Sequence, residues 1–349
     1  MKALVTGGSG YFGSLLINKL LEKGFDVGSL DINEPDVLPK EVMFHKTDIR
    51  DIDSLKTNVI GYDIIFNNVA QVPLAKNKKL FWEVNVEGTR NICKASIENN
   101  IQKIIHTSSS AIYGVPQKNP VDENTVPIPC EAYGKAKLEG ENICREFSEK
   151  GLQVSIIRPR TILGHGRLGI FSILFKWINE GKNIPVLNSG NNIYQFVHAD
   201  DLADACILAA EKEQNFSSYN IGSDNYGTMR EALEDLCEYA ATGSKVYSLP
   251  LKPIEIIMNI TSKMNLTPLG PYHSLMYGRS LYFDIKKAKE ELRYSPRYKT
   301  IEMFRESYDW FINNYQSINK TTKASVHKKP AKEGILCILR WFFGLFLLQ

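Results

Sequence analysis

A glycine-rich turn near the amino terminus constrains the fold of this chain more than any other feature. Residues Thr6-Gly7-Gly8-Ser9-Gly10-Tyr11-Phe12-Gly13 directly follow the apolar run Ala3-Leu4-Val5. They precede a segment in which leucines recur at helical spacing. A turn between a strand and a helix places backbone N–H groups at the positive end of the helix, where a pyrophosphate can bind. Glycines before a helix also serve simple tight turns, so the motif alone is weak.

The first half of the chain alternates short apolar runs with longer helical patterns, which is typical of a parallel sheet covered on both faces. We predict strands at Lys2–Val5, Asp26–Leu30, Val42–His45, Asp63–Asn67, Lys103–Thr107, Val154–Ile157 and Tyr219–Gly222. Helices are predicted at Ser14–Lys23, Leu80–Asn99 and Tyr133–Lys150. The fold class is therefore α/β. We expect a Rossmann-type doubly wound parallel sheet with a smaller, mostly helical substrate lobe and a C-terminal hydrophobic tail.

Asp31, at the end of the second predicted strand, indicates which dinucleotide binds. A carboxylate at this place can accept hydrogen bonds from both adenosine ribose hydroxyls and repels a 2′-phosphate, so NAD is favoured over NADP. A turn residue before Asn33 and Pro35 is the alternative. Asp48 follows the third predicted strand, where it either meets the adenine or caps a helix.

These patterns divide the chain into three parts. Residues 1–158 are predicted to form an NAD-binding Rossmann domain, with return segments near 196–222. Residues 159–315 form an interleaved substrate lobe. Residues 316–349 combine a basic linker with an apolar tail.

Composition excludes several other functions. The chain has 349 residues, 23% charged residues and a net charge of +3, which gives no case for nucleic-acid binding. Its six cysteines form no CxxC pair, which suits a reducing cytoplasm and predicts no metal site. The chain starts directly with a predicted strand, so we expect no signal peptide and a cytoplasmic location.

Tyr133 and Lys137 lie one helical turn apart and form the candidate proton-transfer group. Their Cβ atoms are expected about 5–6 Å apart. At an effective dielectric near 20, an ammonium about 5 Å from a phenol favours the phenolate by roughly 3 kcal/mol, or about 2 pKa units. The positive ring of an oxidised nicotinamide adds to this effect, so with the cofactor bound we expect the pKa of the phenol to fall close to neutrality and the phenol to act as a general base. Tyr and Lys at this spacing also occur on many exposed helices, so an ordinary exposed helix is the alternative interpretation of the pair.

A hydroxyl-rich segment, Thr107-Ser108-Ser109-Ser110, follows the fifth predicted strand. Open α/β sheets bind ligands at the carboxyl ends of their strands, so one hydroxyl can hold a substrate oxygen there. A serine-rich turn is the alternative. The glycine turn, this hydroxyl-rich segment and the Tyr133–Lys137 pair follow one another along the chain. Together they indicate hydride chemistry on a carbinol or ketone.

Over about residues 1–315, these motifs resemble the extended short-chain dehydrogenase/reductase superfamily, also called the NAD-dependent epimerase/dehydratase family. The resemblance also rests on Asn85 within Val84-Asn85-Val86-Glu87-Gly88-Thr89, on Arg158-Pro159, and on Phe196-Val197-His198-Ala199-Asp200-Asp201-Leu202-Ala203. It implies an NAD-dependent oxidoreductase or epimerase that acts on a small-molecule substrate. It also implies a homodimer.

The resemblance assigns roles to individual residues. Tyr133 is implied as the base or acid, Lys137 as the nicotinamide-ribose ligand, and Ser109 as the catalytic hydroxyl, with Ser108 as the alternative. The implied cofactor contacts are Gly7, Gly10, Tyr11, Phe12, Gly13, Asp31, Asp48, Ile49, Asn68, Val69, Ala70, Asn85, Tyr133, Lys137 and Pro159. The implied substrate contacts are Ser109, Arg160, Tyr194 and Arg279.

The chain departs from the nucleotide-sugar members of this family at two places. Thr161 stands where they usually carry an asparagine, and Tyr194-Gln195 stand where they tend to have Arg-Asp, whose arginine grips a diphosphate. Arg158-Pro159 and the segment from Arg279 to Asp284 are more similar to the 3β-hydroxysteroid and sterol dehydrogenase branch.

We therefore expect hydride transfer at a secondary alcohol or ketone of a lipid- or sterol-like substrate. A nucleotide-sugar epimerase or dehydratase is the first alternative, since Arg160, Arg167 and Arg279 could contact an anion. A non-catalytic NAD-binding scaffold is the second.

The carboxyl-terminal tail contains a flexible basic stretch and then an apolar segment from Gly334 to Gln349. The basic residues are Lys320, Lys323, Lys328, Lys329 and Lys332. As a helix, the apolar segment reaches about 24 Å, short of the roughly 30 Å hydrocarbon core. Two interpretations stay open. The tail is either a peripheral anchor at the inner face of a membrane, or a helix docked on its own core or on a partner subunit.

Overall fold

The computed structural model describes residues 1–72, 78–264, 266–318 and 327–337. Its strands are β1 (Lys2–Thr6), β2 (Asp26–Asp31), β3 (Met43–Lys46), β4 (Ile64–Asn67), β5 (Lys103–Thr107), β6 (Gln153–Pro159), β7 (Thr161–Leu163), β8 (Ile184–Leu187), β9 (Phe196–His198), β10 (Phe216–Ile221) and β11 (Val246–Leu249). Its helices are α1 (Tyr11–Glu22), α2 (Ile52–Asn58), α3 (Lys78–Trp82), α4 (Gly88–Glu98), α5 (Ala132–Ser148), α6 (Phe171–Asn179), α7 (Ala199–Glu211), α8 (Met229–Ala240), α9 (Leu251–Lys263), α10 (Pro271–Met276), α11 (Lys286–Leu292) and α12 (Thr300–Ile318).

Seven parallel strands form the central sheet in the order β10-β6-β5-β4-β1-β2-β3. From β1 the chain first adds β2 and β3 on one side, and it then adds β4, β5, β6 and β10 on the other side. The order of the strands therefore reverses between β1 and β4. In open α/β sheets, a reversal of this kind creates a crevice at the carboxyl ends of the strands. The predicted α/β class and Rossmann-type sheet are confirmed.

The sheet is buried on both faces, which explains the unbroken apolar sequences of its strands. In β4, all four residues are buried, and in β1 only Lys2 is partly exposed. On one face, α1 packs its buried leucines and Ile17 against the core, beside α7. On the other face, α4 and α5 bury a second apolar cluster.

The predicted helix Leu80–Asn99 is interrupted by a π-helical turn at Glu83–Glu87 between α3 and α4. The wider turn holds the buried Asn85, whose side chain accepts from the N–H of Gln71 at 2.8 Å and donates to its carbonyl at 3.0 Å. Asn85 therefore braces the loop that follows β4. Such turns are rare and often lie at functional sites.

A second lobe lies beyond the sheet and contains two small parallel pairs, β7–β9 and β8–β11, together with α6, α8, α9 and α10. Helix α7 then returns the chain to β10, which pairs with β6 at the edge of the main sheet. The chain thus leaves the sheet and re-enters it. The division of the chain at residue 158 stays a prediction.

Residues 327–337 lie against the rest of the protein, so the expected flexible basic stretch is wrong for this part. Backbone N–H groups of Leu168 and Ile335 donate to the carbonyls of His327 (2.9 Å) and Leu266 (2.8 Å). The half-buried Lys328 donates to the carbonyl of Ser9 at 3.4 Å. Residues 319–326 and 338–349 lie outside the described residues, so the anchoring and docking interpretations stay predictions. No described helix is both long and apolar enough to span a bilayer.

A buried ion pair joins α5 to the end of β6. The Nε and Nη2 atoms of Arg158 donate to the two carboxylate oxygens of Glu141, at 3.0 and 2.7 Å. Its Nη1 donates to the Tyr113 hydroxyl at 2.8 Å, and the Ser108 hydroxyl donates to the same carboxylate. Both charged side chains are less than a tenth exposed. The pair therefore fixes the helix that carries Tyr133 to the strand that ends at Pro159.

Replacing Arg158 by methionine leaves the Glu141 carboxylate buried and unpaired. We expect the free energy of unfolding to fall by about 3–5 kcal/mol, measured by urea denaturation. The double variant Arg158→Met/Glu141→Leu removes both charges and should recover most of this loss. A single variant within about 1 kcal/mol of the parent would contradict the structural role of the pair.

Candidate active site

The carboxyl ends of β1, β2, β4, β5 and β6 border a cavity of about 900 Å³ that continues into the second lobe. Most of the predicted site residues line it. They are Gly7, Gly10, Tyr11, Phe12, Gly13, Asp31, Asp48, Ile49, Asn68, Val69, Ala70, Ser109, Tyr133, Lys137, Pro159, Arg160 and Tyr194. Asn85 and Arg279 lie outside this lining.

At Gly7 and Gly13 the backbone of the glycine turn leaves no room for a side chain. Gly7 has a φ of +70°, and a Cβ on Gly13 would lie 2.1 Å from the carbonyl oxygen of Gly7. Helix α1 begins at Tyr11 with Gly10 as its N-cap, and Gly10 has no side chain that could cap the first turn. The first N–H groups of α1 therefore face the cavity at the positive end of the helix, an arrangement that fits a dinucleotide pyrophosphate.

Asp31 ends β2 beside this turn. Its carboxylate accepts from the backbone N–H groups of Ser9 (3.2 Å) and Asn33 (3.0 Å). Burial raises its pKa, and these hydrogen bonds oppose the rise. A carboxylate that borders the cavity at this place fits the predicted ribose contact. Asp48 also lines the cavity, and its hydrogen bonds to Arg50 lower its pKa.

Helix α2 distinguishes between the two interpretations of Asp48. Its N-cap is Asp51, which accepts from the N–H of Ser54. The N-cap interpretation of Asp48 is therefore wrong, and its place at the cavity agrees with the adenine interpretation.

The structure separates the two candidate serines. The hydroxyl of Ser108 donates to the buried Glu141 carboxylate at 2.5 Å, so it belongs to the ion pair that joins α5 to β6. The hydroxyl of Ser109 accepts from the N–H of Ala111 at 3.2 Å. It also lies near the phenol of Tyr133, whose pKa it lowers. Ser109 is thus the hydroxyl that lies beside Tyr133.

Tyr133 and Lys137 are both buried at the cavity, but their electrostatics differ from the expectation. Lys137 donates to the carbonyl of Thr107 at 2.7 Å, and burial lowers its pKa to about 8. Burial raises the pKa of Tyr133 to about 12, although Ser109 and Arg167 oppose the rise. In the chain without its cofactor, desolvation of the phenolate thus outweighs the effect of the nearby Arg167. The near-neutral pKa expected beside an oxidised nicotinamide stays a prediction.

The predicted substrate residues fall into two groups. Arg160 is 1% exposed and lies with its guanidinium carbon 4.7 Å from the ring centre of Tyr194. Tyr194 in turn meets the hydroxyl of Thr161 at 3.0 Å. Arg279 instead pairs with Glu255 at 2.9 Å, away from the cavity. This ion pair does not support Arg279 as a substrate contact.

Most of the apolar part of the cavity is formed by residues that no sequence motif singled out. This part is lined by side chains from α6, α9, α10 and the tail, among them Phe171, Leu174, Trp177, Ile254, Met258, Met276, Ile335 and Leu336. Each looks like an ordinary core residue in the sequence. Helix α9 also exposes Ile256, Ile257 and Ile260, each by more than half.

One group of described residues, His165, His198 and Glu306, has the spacing of metal ligands. The Nδ1 atom of His198 accepts from the N–H of Asp200 at 3.1 Å and so carries no proton in the neutral ring. The proton then lies on Nε2, which donates to Glu306 at 3.1 Å. Because the nitrogen that faces the group is the protonated one, the arrangement is a hydrogen-bonded network rather than a ligand set.

The family model for the NAD dependent epimerase/dehydratase family matches residues 3–222. The chain belongs to this family. It is an NAD-dependent enzyme of the oxidoreductase/epimerase type, and its cofactor is NAD. The glycine turn and Asp31 are the features of its own structure that fit this cofactor.

Relatives of this chain within the family carry the names of different activities. An uncharacterised protein of Sinorhizobium fredii is 51% identical over 98% of this chain and 86% of its own length. A putative UDP-glucose 4-epimerase of Methanocaldococcus jannaschii is 28% identical over 89% of this chain and 98% of its own length. A sterol-4-alpha-carboxylate 3-dehydrogenase, decarboxylating, of Mus musculus is 26% identical, over 84% and 86% respectively.

Solved structures agree on the fold. The UDP-glucose 4-epimerase of Thermotoga maritima with UDP-glucose superimposes with a TM-score of 0.76 at 24% identity. The match covers 90% of this chain and 100% of that one. At this identity the likeness concerns the architecture and does not identify the substrate.

The burial of Tyr133 predicts that the free protein keeps this residue as a phenol well above neutral pH. In a spectrophotometric titration at 295 nm, the difference between the parent and Tyr133→Phe should show no phenolate signal from pH 7 to about 10. A Tyr133-dependent signal with a midpoint near pH 8 would instead show that the cations dominate over desolvation.

Proposed function

We propose that this protein is an NAD-dependent dehydrogenase that acts at a secondary alcohol or ketone of a lipid-like substrate. The observation that supports this most is the continuity of the cavity. Tyr133 and Ser109 lie at one end, and side chains such as Phe171, Ile254 and Leu336 line the rest. An apolar cavity with a few polar groups at one end suits an amphiphilic small molecule.

In this proposal Ser109 holds the substrate oxygen and Tyr133 moves its proton. NAD, when bound, supplies the hydride acceptor or donor. Because burial keeps Tyr133 as a phenol, it is set to donate a proton to a ketone oxygen. In the oxidation direction Tyr133 must become a phenolate, and Arg167 is the cation of this chain that lowers its pKa. Lys137, held at the carbonyl of Thr107, is proposed to bind the nicotinamide ribose.

A nucleotide-sugar epimerase is the second candidate. It is favoured by the buried Arg160 and Arg167 at the cavity, since cations suit a diphosphate, and by relatives named as UDP-glucose 4-epimerases. The two candidates differ in cofactor balance. A dehydrogenase changes the net amount of NADH, whereas an epimerase returns the hydride to its own substrate.

The proposal predicts that Tyr133→Phe loses about 10²–10⁴-fold in turnover, because the proton-transfer group is removed. Turnover is followed as NADH absorbance at 340 nm with 3β-hydroxysterols and long-chain secondary alcohols. Dissociation constants for NAD⁺ should stay close to the parent value. Tyr247→Phe, at an exposed tyrosine of β11, is the matched control and should be fully active.

Retained turnover in Tyr133→Phe would refute the assignment of this residue. Conversion of UDP-glucose by the parent, without net NADH and without turnover of any alcohol, would favour the epimerase instead.

Asp31 provides a test of cofactor choice. Asp31→Asn removes the charge that is proposed to face the adenosine ribose, so NAD⁺ affinity should fall about 10-fold or more. The preference for NAD⁺ over NADP⁺ should narrow as well, because repulsion of a 2′-phosphate is lost. Calorimetric titration with NAD⁺ and with NADP⁺ measures both affinities.

Asp36→Asn, at an exposed carboxylate of the same loop, is the control. An equal loss of NAD⁺ affinity in the two variants would contradict the ribose contact.

A further inference from the structure

The last described segment of the chain, residues 327–337, extends along the cavity from the glycine turn to the loop after α9. We call this segment the strap. Three of its residues line the cavity: His327, Ile335 and Leu336. The strap lies beyond residues 3–222, the part of the chain that the family model matches. It therefore adds a wall to the cavity that the NAD-binding motifs do not provide.

Backbone hydrogen bonds hold the middle of the strap against the loop before α6. The N–H of Gly169 donates to the carbonyl of Lys329 at 2.9 Å, and the N–H of Ala331 donates to the carbonyl of Gly169 at 3.2 Å. Closer to the end of the strap, the Nζ of Lys176 lies 2.7 Å from a carboxylate oxygen of Glu333. These contacts attach the strap to the second lobe.

Lys328, at the start of the strap, brings an ammonium group to the nucleotide-binding part of the protein. Its Nζ donates to the carbonyl of Ser9, in the glycine turn, at 3.4 Å. Burial lowers the pKa of this ammonium, and the carboxylates of Asp36 and Asp31 oppose the fall. Lys328 in turn opposes the rise that burial causes in the pKa of Asp31. The ammonium thus lies beside the carboxylate that is proposed to meet the adenosine ribose.

Lys328 has hydrogen-bonding capacity that its own chain does not fill. An ammonium has three N–H donors. Among the described residues, the one acceptor for Lys328 is the Ser9 carbonyl, at a distance that is long for a hydrogen bond. The side chain is half-buried, so part of its hydration is lost. Its remaining donors are available to a polar or anionic ligand between the glycine turn and Asp31.

We propose that Lys328 is a cofactor-binding residue, which the strap brings to the adenosine half of NAD. Its ammonium donates to oxygens of that half, which carries ribose hydroxyls and the anionic pyrophosphate. The strap then covers the bound dinucleotide and has to move before the cofactor can leave. The proposal concerns the cofactor site, so it does not depend on which of the two candidate reactions the protein catalyses.

The first test is calorimetric titration of the full-length protein with NAD⁺ and with ADP-ribose, which lacks the nicotinamide. In Lys328→Gln we expect both ligands to bind about 10-fold more weakly, because a charge-assisted hydrogen bond is lost. Lys328→Arg keeps the charge and should lose less than about threefold. Lys332→Gln, at an exposed lysine of the same strap, is the matched control and should bind both ligands like the parent.

The second test asks whether the strap responds to the cofactor. Amide hydrogen exchange of residues 327–337, followed by mass spectrometry, should be slower in the parent with NAD⁺ than without it. In Lys328→Gln saturated with NAD⁺, this slowing should be smaller.

The third test disturbs the end of the strap that is far from Lys328. Gly334 has a φ of +56°, and a Cβ there would clash with the carbonyl oxygen of Leu266. We expect NADH to dissociate at least about 5-fold faster from Gly334→Ala than from the parent, measured by stopped-flow fluorescence. Gly243→Ala is the matched control, since Gly243 has a φ of +83° and no atom within 4 Å of its Cβ position.

Four results would overturn the inference. They are equal NAD⁺ affinity in Lys328→Gln and Lys332→Gln, unchanged ADP-ribose affinity in Lys328→Gln, strap amides that exchange at the same rate with and without NAD⁺, and equal rates of NADH release from Gly334→Ala and Gly243→Ala. The first two would remove Lys328 from the adenosine half of the cofactor site. The last two would show that the strap does not cover the bound dinucleotide.

Discussion

All seven strands of the main sheet run in one direction, and this constraint places the polar groups of the site at one edge. Because parallel strands share a carboxyl end, the glycine turn after β1, Asp31 at the end of β2 and Ser109 after β5 meet around one cavity. Residues more than a hundred positions apart become neighbours in this way. The Arg158–Glu141 pair then fixes α5, and with it Tyr133, to the same edge.

Desolvation is the second feature that determines the character of the site. It raises the pKa of Tyr133 and lowers that of Lys137, Arg167 and His273. Each shift favours the neutral form of the group concerned. The site therefore holds few charges, and those it keeps act strongly because little water screens them.

The parts of this arrangement that depend on local sequence could be predicted. The glycine turn, the strands and the place of Tyr133 on its helix follow from short-range patterns of spacing and hydrophobicity. The alternating pattern also predicted the parallel sheet, and α1 differs from its predicted start by only a few residues. The motifs that placed Asp31 and Ser109 at the ends of strands depend on the same local rules.

Other features depend on contacts that no local pattern encodes. The pKa of Tyr133 in the chain without cofactor depends mainly on burial, which is a property of the whole fold and which a pairwise estimate with Lys137 leaves out. Arg279 was expected to contact the substrate, yet its guanidinium forms an ion pair with Glu255. The cavity wall formed by Leu336 comes from the apolar tail segment, for which local patterns left both a membrane anchor and a docked helix open. Its docking is seen only in the fold, where the N–H of Ile335 donates to the carbonyl of Leu266.

We expect Tyr133 and Ser109 to form the reacting end of a cavity that opens from the glycine turn into an apolar lobe. A crystal structure of the protein with NAD⁺ and a bound substrate or substrate analogue tests this arrangement. We predict the pyrophosphate at the start of α1 and the reacting oxygen of the ligand within about 3–3.5 Å of the Tyr133 hydroxyl, next to the nicotinamide. A nicotinamide ring that lies away from Tyr133, with this phenol still enclosed by protein, would contradict it.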